Sequence, residues 1–137
     1  MNNCSIVQSL NYKILYRRCP TADGKNTYDK LDEVRKNLPP EDVLYDVADL
    51  FKMFGDSTRT KIMNCLSHAN LRVSEIAELL GMSDSSVSHK LRVLRSAKLV
   101  KRIKSGNVIM YSLDDYHVVK IMEYGLSHVS EADGEED

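Results

Sequence analysis

Residues 73–113 read VSEIAELLGMSDSSVSHKLRVLRSAKLVKRIKSGNVIMYSL. From Val73 to Leu80, Ile76, Ala77 and Leu80 recur at the spacing of one helix face. Gly81-Met82-Ser83 interrupts the pattern, and the Ser83 hydroxyl can accept a hydrogen bond from an orphan amide of a following helix. From Asp84 to Ala97 the apolar set Val87, Leu91, Val93 and Leu94 predicts that second, longer helix. A short helix, a three-residue turn with glycine and a longer helix outline a helix-turn-helix. Two β-rich runs follow, Leu99 to Lys104 and Val108 to Leu113, around Ser105-Gly106-Asn107, which predicts a hairpin. A hairpin placed directly after the second helix is a wing. The expected fold class is therefore mainly α with a small β-hairpin wing, a winged helix-turn-helix.

Upstream, Asp56-Ser57-Thr58-Arg59 leads into Ile62, Met63, Cys65 and Leu66, a helix ending near residues 67–70 whose Cys65 sits among core positions. Before it, Pro40 suits a helix start with Glu41 and Asp42 in the first turn. Val43, Val47, Leu50, Phe51 and Phe54 then fall at helical spacing until Gly55 stops the run. Tyr28 to Asn37 predicts a short helix that Pro39-Pro40 ends. Residues 1–28 have weak periodicity. Downstream, a last helix spans about Asp115 to Glu131. The expected organisation is an N-terminal extension, partly ordered, over 1–38, a DNA-binding and dimerisation unit over 39–131, and an acidic tail over 132–137.

The chain has 137 residues and a net charge of −1, so its total charge says nothing about nucleic acid. Its distribution does. Between Ser83 and Asn107 stand seven basic residues, Lys90, Arg92, Arg95, Lys98, Lys101, Arg102 and Lys104, against Asp84 alone; the last seven residues carry five acids. A basic block inside a neutral total is the footprint of a small DNA-binding module. The cysteines, Cys4, Cys19 and Cys65, are too few and odd in number for a disulfide framework. No apolar run approaches the ~20 residues of a membrane span, and no signal pattern opens the chain, which points to the cytoplasm and to no membrane partner. No nucleophile–base pairing and no glycine-rich phosphate loop speaks for an enzyme.

In a helix-turn-helix the second helix presents its N-terminal residues to base edges in the major groove. Here Ser85, Ser86, Ser88, His89 and Lys90 take that place. Arg92, Arg95, Lys101, Arg102 and Lys104 are better placed for phosphates. Asp84 reads as a helix-terminus charge.

The last helix carries a second signal. Asp115 and His117 stand at its start, His128 and Glu131 at its end, the latter pair at i,i+3 on one face. Eleven helical residues separate the two histidines by about 16 Å, whereas ligands of one zinc ion lie within a few ångströms of each other. One straight helix cannot close the site. Two antiparallel copies can, and a twofold dimer builds it twice, hence the expectation of a homodimer. Val118, Val119, Met122, Leu126 and Val129 lie largely off this stripe and are expected on the chain's own core. Two imidazoles and two carboxylates suit Zn2+, with Cd2+, Co2+ and Ni2+ as alternatives that such ligands do not separate sharply. Four protein ligands would leave no open position for hydrolysis.

With Phe54-Gly55-Asp56-Ser57-Thr58-Arg59, Val87-Ser88-His89-Lys90-Leu91-Arg92-Val93-Leu94 and the wing, the chain resembles the ArsR/SmtB family of metal-sensing repressors, from about Val43 to Glu131. Asp115, His117, His128 and Glu131 match the C-terminal-helix metal site of its zinc-sensing branch. The resemblance implies a homodimer on an inverted-repeat operator of double-stranded DNA, released when metal binds, with His128 passing the signal towards the recognition helix near His89. Leu71-Arg72-Val73-Ser74 departs from relatives that carry cysteines in that stretch. Cys4 and Cys19 resemble the N-terminal cysteines of cadmium and lead sensors, so a sensor of that kind is one alternative. A winged-helix repressor with a non-metal inducer is another.

Overall fold

At Gly55-Asp56 the chain leaves one helix and enters the next, and much of the architecture is fixed there. The computed structural model describes residues 27–132; Cys4, Cys19 and residues 133–137 lie outside them. The described elements are α1 (Thr27–Asn37), α2 (Glu41–Phe54), α3 (Ser57–His68), α4 (Val73–Leu80), α5 (Asp84–Ser96), β1 (Val100–Ser105), β2 (Val108–Leu113) and α6 (Tyr116–Ala132). They fall into two units that divide between Pro39 and Pro40. In the first, α1 carries Asp29 in its first turn and Arg35 and Lys36 in its last, charges that complement the helix dipole.

The second unit is built around α3. Asp56 is its N-cap and accepts the N–H of Arg59 at 2.8 Å. Its other carboxylate oxygen lies 3.1 Å from Lys90 Nζ on α5, across 34 residues of chain. Arg59 turns back onto α2, donating to the carbonyls of Met53 (3.0 Å) and Lys52 (2.9 Å), and the Thr60 hydroxyl donates to Phe54 (2.7 Å). The donors to Met53 and Phe54 satisfy carbonyls that the end of a helix leaves without partners, and the Lys52 carbonyl also takes the Gly55 N–H at 3.2 Å. One short segment thus caps two helices and ties them to a third.

Packing completes the unit. Ile62, Met63 and Leu66 of α3 meet Ile76 and Ala77 of α4, Val87, Leu91 and Leu94 of α5, Leu99, Val100 and Leu113 at the wing, and Val118 and Met122 of α6. Every buried residue among those described is apolar. In α3, α4 and α5 the periodic positions read from the sequence are largely the core ones, with Cys65, Leu80 and Val93 at its margin, whereas none of the periodic positions of α2 is buried.

β1 and β2 pair antiparallel from Val100↔Leu113 to Ser105↔Val108, and Gly106 takes φ +61° at the tight turn, a conformation resisted by residues with a Cβ. Leu71 and Tyr111 exchange both backbone hydrogen bonds, at 3.1 and 2.7 Å. The wing is thereby fastened to the segment between α3 and α4. Mainly helical, with a two-stranded wing after α5, the chain is a winged helix-turn-helix.

Asp56→Ala removes the cap and the ion pair together and should lower Tm by about 4 °C. The Asp56 carboxyl is held below its ordinary pKa, first by the Arg59 amide and then by Lys90. Its contribution is accordingly present above the unfolded value near ~4 and lost as pH falls through the lower folded value. Urea unfolding at stepped pH should show the wild-type advantage over Asp56→Ala shrinking below pH ~4. A constant advantage down to pH 2 would contradict this role.

Candidate nucleic-acid interface and metal half-sites

The helix-turn-helix is built by local chemistry. At the start of α4, Glu75 reaches back to the N–H of Arg72 at 2.7 Å and holds its guanidinium at 2.9 Å, half of a capping box. That guanidinium, with the amide second, keeps the Glu75 carboxyl below its ordinary pKa. The Ser83 hydroxyl accepts the N–H of Ser86 at 3.2 Å and starts α5.

Of the residues expected to read bases, Ser85 and His89 are exposed and Ser86 and Ser88 half-buried at the head of α5. Lys90 differs from the others. Its ammonium is turned to Asp56, so this positive charge anchors α5 onto α3. Arg92, Arg95, Lys101, Arg102 and Lys104 are all exposed. Arg92, Arg95 and Arg102 line one cleft of about 450 Å³ between α5 and the wing, with Ser88, Ser96 and Tyr111. Lys101 Nζ donates to the carbonyl of Asp114 at 3.1 Å. Asp84 lies exposed in the first turn of α5, where a negative charge favours the helix.

The candidate metal ligands fall into two separated pairs. Asp115 precedes α6, accepts the N–H of Val118 through Oδ1 at 3.1 Å, and lies 3.6 Å from His117 Nδ1. Two ligands on one zinc at bonds of about 2.1 Å are about 3.4 Å apart in a tetrahedron, so His117 Nδ1 and the capping oxygen of Asp115 stand near that spacing. Asp115 Oδ2 is not used by the helix cap. His128 and Glu131 follow on the same unbroken helix, both exposed, with the Ser127 hydroxyl donating to Glu131 at 2.9 Å. Among the described residues no three His, Cys, Asp or Glu side chains gather as a metal site within one chain.

The expectation for Leu126 and Val129 is corrected: they are 52% and 63% exposed. From Glu123 to Glu131 the described residues of α6 are all exposed. Leu126 and Val129 instead line an open apolar trough of about 610 Å³ with Phe51, Phe54, Ile121 and Tyr124. Along α2, Val43, Val47 and Phe51 are exposed too. Cys65 is half-buried, outside the fully buried core, and burial pushes its thiol pKa up.

Residues 56–102 match the family described as "Bacterial regulatory protein, arsR family". A cadmium resistance transcriptional regulatory protein CadC homolog of Staphylococcus aureus is 36% identical over 104 residues, covering 75% of this chain and 85% of the relative. A transcriptional repressor SmtB homolog of Synechocystis sp. is 35% identical over 106 residues, covering 75% and 80%. The crystal structure of the antimony-specific transcriptional repressor AntR superposes with a TM-score of 0.65 at 28% identity, over 72% of this chain and 89% of that one. The chain belongs to the ArsR family.

ArsR-family membership makes this chain a transcriptional regulator and not an enzyme. The matched residues run from Asp56, the cap of α3, to Arg102 on β1, so they include both the Asp56–Lys90 tie and the recognition helix. Sequence reading put Lys90 among the DNA contacts and missed its partner. Only the acid-then-Ser/Thr signature at Asp56, an N-cap pattern, hinted at Asp56. No described helix is long and apolar enough to cross a membrane.

Proposed function

We propose that this ArsR-family chain is a homodimeric, cytoplasmic repressor that leaves its inverted-repeat operator when zinc or a similar divalent ion joins its two C-terminal helices. Residues 39–131 form the DNA-binding and dimerising unit, flanked by the 1–38 extension and the acidic tail. The observation that carries the reading is the pair Asp115–His117 at near-ligand spacing, at the head of the helix that bears a second pair about 16 Å farther on. Asp115 and His117 of one protomer with His128 and Glu131 of the partner subunit would complete a four-ligand set, and the ion would supply the cross-link. The apolar trough against α2 and α6 supports the same assembly, since exposed apolar faces of this kind mark interaction surfaces. Ser85, Ser86, Ser88 and His89 read bases, while Arg92, Arg95, Lys101, Arg102 and Lys104 hold phosphates; Lys90 serves the interface by fixing the angle of α5.

The coupling follows from linkage. An ion that weakens DNA binding must bind better to the DNA-free arrangement. Fixing the two α6 helices against each other fixes the spacing of two recognition helices, which must match about one DNA turn. His128, with one ring nitrogen on the metal, would offer its other N–H to an acceptor towards His89.

On a duplex selected from a random pool, saturating Zn2+ should weaken binding about 5–150-fold, with two ions taken up per dimer. His117→Ala and His128→Ala should lose both effects and keep DNA affinity. Affinity unchanged by saturating Zn2+ removes the sensor reading. The cadmium-resistance relative favours one second reading, a cadmium or lead sensor acting through Cys4 and Cys19; Cys4→Ser with Cys19→Ser would then abolish the response, whereas a C-terminal-helix sensor keeps it. For the DNA face, Arg92→Ala should lower the slope of log affinity against log salt by about 0.9 per protomer, read by fluorescence anisotropy.

A further inference from the structure

Both helices of the helix-turn-helix end in the same capping motif, with different residues at its critical position. At the end of α4 the N–H of Met82 bonds the carbonyl of Ala77 at 2.9 Å and that of Gly81 bonds Glu78 at 3.4 Å, with Gly81 at φ +62°. At the end of α5 the N–H of Leu99 bonds Leu94 and that of Lys98 bonds Arg95, both at 3.0 Å, with Lys98 at φ +58°. These are Schellman motifs, whose left-handed residue is usually glycine and sometimes asparagine. A Cβ there is strained. Lys98 is the one non-glycine residue with positive φ among those described. The cap uses only its amide, and the apolar contact of the motif is supplied by buried Leu94 and Leu99. Nothing in the turn calls for lysine, and strain held at one place is a pointer to function.

What lysine adds is an ammonium. Lys98 opens with Arg95, Lys101 and Arg102 onto a concavity of about 370 Å³ at the base of the wing. The only acid lining it is Asp114, whose N–H bonds the carbonyl of Leu99 at 2.9 Å and whose carbonyl takes Lys101. Asp114 forms no ion pair with the four cations among the described residues. Arg95 and Arg102 also line the cleft against α5, so the concavity continues the proposed DNA face.

We propose that Lys98 is a DNA-phosphate contact in a phosphate-binding site at the wing base, retained there against the backbone preference for glycine. This rests on the DNA-binding reading above. Wild type, Lys98→Gly, Lys98→Asn and Lys98→Arg are titrated with a fluorescein-labelled 30-base-pair duplex of random sequence at stepped salt. Lys98→Gly and Lys98→Asn should each lower the log–log salt slope by about 0.9 per protomer bound, and Lys98→Arg should keep it. Lys98→Gly should also melt a few degrees higher than wild type, so affinity and stability move in opposite directions. A wild-type slope in both uncharged variants overturns the proposal. The same slope together with a Tm rise in inorganic phosphate that Lys98→Asn loses assigns the site to a free anion, and also overturns it. If wild type shows no salt-dependent binding to any duplex, the DNA-binding reading itself has failed.

Discussion

A single carboxylate sets the geometry on which the reading face depends. One oxygen of Asp56 holds the first turn of α3 and the other holds Lys90 of α5. Both groups of the ion pair are about 70% shielded from solvent, so the pair is screened less by salt than an open surface pair. Arg59 and Thr60 fasten the end of α2 to the same turn. Without these ties the core would still bury its apolar faces, because hydrophobic burial is non-directional. What would loosen is the angle at which α5 stands on α3, and with it the direction of the recognition side chains.

How much of this was legible in the sequence depends on the range of the interaction. The helices, the Ser83 cap and the hairpin follow from patterns within a dozen residues, and Ile62, Ile76, Val87, Leu91 and Leu94 stand at the positions their periodicity gives. The Asp56–Lys90 pair spans 34 residues, and in a run of seven basic residues nothing local marks one as turned inward. The Leu71–Tyr111 bridge is equally non-local. Lys98 was counted in the basic block but not as a site residue, because a left-handed φ at a lysine leaves no trace in composition or period. For the candidate metal site, residue types and spacing were readable; the 3.6 Å approach of Asp115 and His117 required coordinates.

The error over Leu126 and Val129 is informative in itself. A 3.6-residue period shows which face of a helix is apolar, not what covers it. In α2 and the second half of α6 the apolar face lies open within one chain, so periodicity there described an exposed surface and not the chain's own core. The trough and the candidate metal half-sites share α6, and a second copy seated against that helix would bring the complementary half-site with it.

The two halves of α6 are held differently, which bears on how an ion there could act at a distance. Val118 and Met122 are buried, and Asp115 caps the first turn, so the first half is locked to the core. From Glu123 to Glu131 every side chain is exposed. Segments with few buried contacts open at lower free energy than the core. His128 and Glu131 thus stand on the compliant half, while Asp115 and His117 stand on the rigid one. In the proposed dimer each site would join a compliant half from one chain to a rigid half from the other. Metal binding there would fix the compliant half against a core-anchored reference, and what it would transmit is the position of one protomer's core relative to its partner's. That is the quantity two recognition helices need to have set if they are to meet DNA together.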